Sequence, residues 1–305
     1  MCPEAHSPHP STLHAGSVML AAMAVLVNIA LSAFLDVQLE GKLLKAATRA
    51  AVQLSVLGLI LGPIFRSNSG WLVMAYLAFM VAVAGNEALR RPTHAYSGMG
   101  KHVLATLGVV CLSTLWWGLV AVIRVGPLDA QYAIPVLGMI LGNSLTGITL
   151  ALAAIIDELM EGRERVELML AMGASRWEAS RRLMARAMSL ALTPIINQLS
   201  VIGLVSIPGM MTGQILGGTS PVQASRYQLC VMYLISSATA LGVLSITVLV
   251  VRSIIDDHHR LRGERLVPKG AADHPAVASA KSAAAGARDA AAGAARALWG
   301  EHLAH

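Results

Sequence analysis

"QYAIPVLGMILGNSLTGITLALAAII", residues 131–156, contains no charged side chain. As a helix it would extend about 39 Å, more than the roughly 30 Å hydrocarbon core of a bilayer. It is not uniformly apolar. Asn143 and Ser144 fall near its middle, with Thr146 and Thr149 on adjoining turns and Gly138 and Gly142 forming a small-residue face. Polar side chains at such depth are tolerated where helices pack or solute passes. The stretch therefore reads as a transmembrane helix with something to face.

Six further stretches have comparable character: about 17–35, 47–65, 71–87 and 103–123 before it, and 189–207 and 229–251 after it. The third and sixth are short, and the second opens on a basic amphipathic turn, "KLLKAATRA". Of the 305 residues, 55% are hydrophobic and 13% charged, where a soluble domain carries about a quarter charged residues. The expected fold is an all-α polytopic transmembrane bundle of about seven spans.

The charges orient it. One set of connections holds Lys42, Lys45 and Arg49; Arg90, Arg91 and Lys101; then Arg163, Arg165, Arg176, Arg181, Arg182 and Arg186; then Arg252 onward. The alternate set holds only Arg66, Arg124 and Arg226. The positive-inside rule then puts the N-terminus outside, and residues 157–188 and the C-terminus in the cytosol. The net charge of +6 is thereby explained by topology and by lipid headgroups, so no nucleic-acid partner is expected. Residues 1–16 carry no Lys or Arg, which gives no basic signal-peptide region, and the first apolar run reads as a span. The expected domains are an extracytosolic segment 1–16, a permease domain 17–255, and an Ala/Gly-rich low-complexity tail 256–305. The membrane is expected to be the cell membrane or that of an organelle.

Several chemistries lack their residues. Cys2, Cys111 and Cys230 have no metal-ligand spacing. No Asp or Glu falls mid-span, where a proton-coupled carrier needs a titratable relay. No histidine lies mid-span, and no nucleophile–base set supports an enzyme.

Between two spans lies "ERVELMLAMGASRWEASRRLMARAM", 164–188. Val166, Met169, Leu170 and Met172 give its first part helical apolar spacing, with Glu164 and Glu167 early, where acids suit the helix dipole. Gly173 ends that helix. Ser175 and Glu178 form a capping box that starts a second one immediately, leaving Ala174 between them. The segment is a helix, a tight elbow and another helix. It fits either a rigid element built to be pushed or an amphipathic helix lying on anionic lipid.

Glu167 and Gly173, in "ELMLAMG", have the spacing of the Glu-Ala-Ala-x-x-x-Gly motif of ABC-transporter permeases, with Leu168 and Met169 in place of the alanines. The motif's Leu-Pro is out of register; the first proline downstream is Pro194. The blocks "GMILGNSLTGITLAL", "ELMLAMGASRWEAS" and "GLVSIPGMMTGQILGGTSPVQASRYQ" resemble the FetB-type ABC permease family, which includes bacterial iron-export permeases and plant aluminium-sensitivity and aluminium-tolerance permeases. The resemblance covers roughly residues 18–255. It implies a membrane subunit, a homodimer of permeases, driven by a separate cytosolic ATPase that binds ATP and Mg²⁺, with no cofactor in this chain. It further implies that Glu167, Gly173, Ala174, Ser175, Arg176 and Glu178 couple to that ATPase. Independently, the chain lacks a Gly-x-x-x-x-Gly-Lys-Ser/Thr loop; "GMGKH" at 98–102 has neither the spacing nor the hydroxyl.

Asn143 and Ser144 in one span and Asn197 and Gln198 in another fall at matching depth, as a pathway or as an interhelical clamp. In "SIPGMMTGQILGG", 206–218, Pro208 and Gly209 break the preceding helix, and the following glycines permit re-entrant backbone lining a cavity. Met210 and Met211 fill a gap or offer soft thioethers. Iron and aluminium prefer oxygen ligands, so no metal site is assigned. The cargo is expected to be a metal ion, iron-like, or a related solute such as the nucleotide sugars moved by some relatives. A stand-alone carrier or channel is the alternative.

Overall fold

The computed structural model describes residues 15–36, 39–67, 69–92, 94–96, 98–256 and 267–268. Nearly all of the expected N-terminal segment 1–16 and of the tail 256–305 lies outside them. The chain divides into two units, Met1–Asn68 and Ser69–His305.

The first unit is a helical hairpin of α1 (Ala15–Phe34) and α2 (Glu40–Ser67). Ser32 ties the turn: its hydroxyl donates to Glu40 Oε2 at 3.3 Å and accepts from the Leu39 N–H at 3.1 Å. Glu40 in the first turn of α2 and Arg66 in its last both complement the helix dipole. The basic turn 42–50 belongs to this one continuous helix. The outward residues, among them Leu20, Leu26, Leu54 and Leu59, are apolar and suit lipid.

The second unit holds α3 (Gly70–Arg90), α4 (Met99–Trp117), α5 (Ala130–Glu161), α6 (Arg163–Ala171), α7 (Arg176–Val201), α8 (Gly209–Leu216) and α9 (Pro221–Ile254). A π-helical turn, Gly118–Ile123, extends α4. A two-residue strand, β1 (His94–Ala95), pairs antiparallel with β2 (Val267–Pro268) of the tail. Helix α5 is the centre. It starts at Asp129, whose carboxylate accepts from the Gln131 N–H at 3.1 Å, and it packs against α3, α4, α7 and α9. Leu137, Ile140, Ile148, Leu152 and Ile155 of α5 and Ile246 and Ile254 of α9 are fully buried. Two glycines let these helices close up. A Cβ on Gly147 would lie 2.7 Å from Thr239 Cγ2, and one on Gly242 would lie 2.9 Å from Ile148 Cδ1. Gly138 and Gly142 do not serve this purpose: Gly138 meets only Met80 Cε, at 3.4 Å, and Gly142 faces open space.

Among the described residues, six helices are long and apolar enough to cross a membrane: Gly16–Phe34, Glu40–Ser67, Gly70–Arg90, Met99–Ile123, Ala130–Glu161 and Pro221–Ile254. The expected span 189–207 is different. Helix α7 starts at Arg176 and continues to Val201, fusing the second half of the charged segment to the apolar stretch. Nothing between them breaks a helix, and Pro194 lies inside α7 without stopping it. The helix ends at Val201, whose carbonyl takes up the N–H groups of Leu204 and Val205 at 3.3 and 3.0 Å, while Gly203 adopts φ +83°.

Candidate functional site

The elbow joins α6 to α7. Gly173 has φ +90°, and its N–H donates to the Leu170 carbonyl while that of Ala174 donates to Met169, both at 3.0 Å. This is a Schellman closure. Glycine is required by the backbone angle alone, because a Cβ there would meet nothing within 4 Å. The capping box follows. The Ser175 N–H and hydroxyl donate to Glu178 Oε2 at 2.8 and 2.7 Å, and the Glu178 N–H donates to Ser175 Oγ at 3.3 Å. The hydroxyl and then the backbone N–H of Ser175 hold the Glu178 carboxyl below its ordinary pKa. Glu167 pairs with Arg163 at 2.8 Å, both exposed, and Arg176 opens α7.

Val166, Ala179, Leu183 and Ala187 are the buried side of the elbow. Glu158, near the end of α5, meets Arg186 at 3.6 Å. Gly162, between α5 and α6, has no room for a side chain, since a Cβ would lie 2.9 Å from the Glu158 carbonyl oxygen. Met172, which shares the apolar spacing of Val166, is 73% exposed, alongside Leu168 at 60% and Trp177 at 42%. The elbow thus projects three apolar side chains from a rigid base surrounded by charge. A groove of about 460 Å³ lined by Trp177, Arg181, Met184 and Met188 runs beside it.

A polar seam lies between α5, α7 and α9. Asn143, Thr146, Pro194, Gln198 and Thr239 line a cavity of about 80 Å³. Asn143 Nδ2 donates to the Met139 carbonyl at 3.0 Å, and Thr146 Oγ1 to that of Gly142 at 3.1 Å. Their donors are thereby turned into the helix. Thr239 is buried and its hydroxyl has no hydrogen-bond partner. A wider groove of about 740 Å³ continues along α5 and α7 from Pro194 through Thr193 and Leu150 to the Glu158–Arg186 pair.

Only two of the four carboxamide and hydroxyl residues expected at matching depth come together here, Asn143 and Gln198. Sequence neighbours on a helix are about 100° apart. Ser144 is therefore fully buried, turned toward Cys111 of α4, and Asn197 is exposed on the outer side of α7. Thr239 was missed. Its signal was a hydroxyl in the middle of an otherwise apolar run, "LISSATALGVL".

The stretch 206–218 is mostly helical rather than irregular backbone. Pro208 is the N-cap of α8, and Gly209, Met210 and Met211 form its first turn. Gly218, at φ +91°, ends α8 with the same Schellman closure seen at Gly173. Pro208 suits that position because the first helical N–H groups lack intrahelical partners. Met210 and Met211 are half-buried. Among the described residues, no three His, Cys, Asp or Glu side chains come together as a metal site.

The model of the uncharacterised protein family UPF0014 matches residues 15–255, every helix from α1 to α9. The chain belongs to this family. Three relatives show the range of UPF0014. Protein ALUMINUM SENSITIVE 3 of Arabidopsis thaliana is 35% identical over 75% of this chain and 83% of its own length. The UPF0014 membrane protein YjkA of Bacillus subtilis is 32% identical over 81% and 97%. The probable iron export permease protein FetB of Escherichia coli is 29% identical over 80% and 93%. No solved structure matches the chain. As a UPF0014 member with six apolar helices of spanning length, it is a multi-pass membrane protein of a permease family.

Proposed function

We propose that this UPF0014 chain is the membrane subunit of an ABC transporter and that a separate cytosolic ATPase, which binds ATP and Mg²⁺, docks on its elbow. The single observation that carries the reading is the elbow itself. A Schellman closure and a capping box hold Glu167, Gly173, Ala174, Ser175, Arg176 and Glu178 in one fixed bend that displays Leu168, Met172 and Trp177. Helix α7 then leads without interruption from the bend to the polar seam. A lipid-surface helix has no need of such a bend. The distribution of Lys and Arg supports an external N-terminus and a cytosolic elbow and C-terminus.

Asn143 and Gln198, with Thr239, form the translocation path; Ser144 supports it from the α4 side. Pro208, Gly209, Met210 and Met211 shape its outer end. The cargo is a metal ion, iron-like, moved outward. The name of the Escherichia coli relative supports this, as do the neutral oxygen groups of the seam, which suit hard cations and release them readily. Two copies of the permease make one transporter.

The test is affinity purification from native membranes. Wild type is expected to bring down a P-loop ATPase; Gly173→Trp, strained at φ +90°, and Met172→Glu, a surface change, are expected to lose it while remaining folded and inserted. An intact wild-type protein that recovers no ATPase refutes the reading.

A further inference from the structure

In the second unit, α3, α4 and α9 expose apolar side chains: Trp71, Leu72 and Phe79; Leu104, Val109 and Trp116; Leu229, Tyr233 and Leu244. Isolated serines, Ser113 and Ser237, are the exceptions at mid-span. The outward face of α7 breaks this pattern. Ser189, Thr193, Asn197 and Ser200 are all exposed and recur at helical spacing along one side. The Thr193 and Ser200 hydroxyls donate to their own helix, to Ser189 and Ile196 at 2.7 and 2.9 Å. A carboxamide has two donors and an acceptor with two lone pairs, more than one backbone carbonyl satisfies. Asn197 therefore calls for a partner outside the helix.

The adjacent face of α5 is open as well. Gly142 has nothing within 4 Å of where a Cβ would be, and Thr146 beside it is exposed. Helix length adds an independent argument. From Arg186 to Val201 α7 rises about 22 Å, short of the roughly 30 Å hydrocarbon core. The irregular residues 202–208 must cover the rest, yet Leu204 is 90% and Val205 83% exposed. Non-helical backbone at membrane depth persists only where protein or a water-filled cavity covers it.

We infer that a second copy of this chain covers this face, α7 meeting α7 across a two-fold axis near Thr193 and Asn197. The inference rests on the permease reading above and names its interface. The chemistry selects the occupant. Hydroxyls and carboxamides both donate and accept, so an identical stripe in a two-fold contact satisfies itself. Between Ser189 and Ser200 there is no charge to repel its own copy. At the elbow end the stripe continues as Arg182, where two copies repel and the helices splay, and as Arg186, which Glu158 of its own chain partners. The two polar seams then open toward one another across the contact.

The experiment is disulfide crosslinking of the full-length protein in native membranes. Thr193→Cys and Asn197→Cys are expected to give a covalent homodimer on mild oxidation; Val109→Cys, on the lipid-facing side of α4, is expected to stay monomeric. Asn197→Leu should weaken detergent-solubilised self-association by about fivefold, as loss of an interhelical polar contact does. Monomer at both α7 positions in folded, inserted protein overturns the interface, as does a dimer formed only through Val109→Cys. Recovery of the ATPase with those same cysteine variants separates the two failures: an ATPase recovered without a crosslink sinks this contact alone.

Discussion

The outward faces of α4 and α7 belong to the same helical unit yet differ in kind. Helix α4 exposes Leu104, Val109 and Trp116 over a buried side of Val103, Leu107 and Cys111. That exposed face suits lipid. Helix α7 also buries an apolar side, with Leu183, Ala187, Ala191 and Ile195, but exposes Ser189, Thr193, Asn197 and Ser200. Lipid is a poor solvent for the second face and a good one for the first. The lesson is that burial within one chain does not mark function here. The informative face is the one whose chemistry disagrees with the solvent that would cover it.

The largest effect should come from α5, which has one glycine on each side of the comparison. Gly147→Leu drives its side chain into Thr239 and Val243 and is expected to abolish folded protein, read as loss of the monodisperse peak after solubilisation. Gly142→Leu meets no atom of its own chain; it should fold and instead prevent self-association. Next, Val109→Asn gives α4 the chemistry of α7 and should lower the amount of inserted protein, whereas Thr193→Leu should not. Comparable membrane yields for both would remove the distinction between the faces.

At the elbow the effects shrink. Gly173→Ala forces a side chain into a left-handed conformation and should cost about 1 kcal/mol, read as a lower melting temperature and weaker ATPase recovery. Ser175→Ala removes the cap and should cost a similar or smaller amount, about 1 kcal/mol. The smallest effect is with pH. Glu178 has its carboxyl pKa lowered in the folded state. Its contribution is therefore complete above the ordinary carboxylate value of about 4.3 and lost only as pH falls through the lower folded value. Hydrogen exchange at residues 173–178, corrected for intrinsic rate, should be as protected at pH 5 as at pH 7. Loss of protection already at pH 5 would contradict the cap.

Much of this was legible beforehand, for local reasons. Spans are lengths of apolar chain, and six of them lie close to where the sequence puts them. Gly173, Ser175 and Glu178 specify the elbow because capping and the positive φ are decided within four residues. What depends on azimuth was not legible. The sequence puts Asn143 and Ser144 at one depth, but only the packing of α5 turns one to the seam and the other to α4. Within the chain, the close-approach glycine of α5 is Gly147 rather than Gly138 or Gly142 for the same reason. Pro208 reads as a breaker whether it ends one helix or starts another, so sequence alone does not separate α8 from irregular backbone. The continuity of α7 was hidden because charge and hydropathy change abruptly near Met188, while helix propensity does not.

That continuity has a mechanical consequence. From Arg176 to Pro194, α7 is a stiff rod of about 27 Å. Pro194 removes one backbone hydrogen bond and leaves the rod a natural pivot there, beside the seam. A change in bend of about 10° at that pivot swings the elbow through roughly 5 Å. The same angle moves Gln198, one turn beyond the pivot, by only about 1 Å. The helix is a lever with a long arm at the elbow and a short arm at the seam, gearing a wide stroke at one end into a small, forceful displacement at the other.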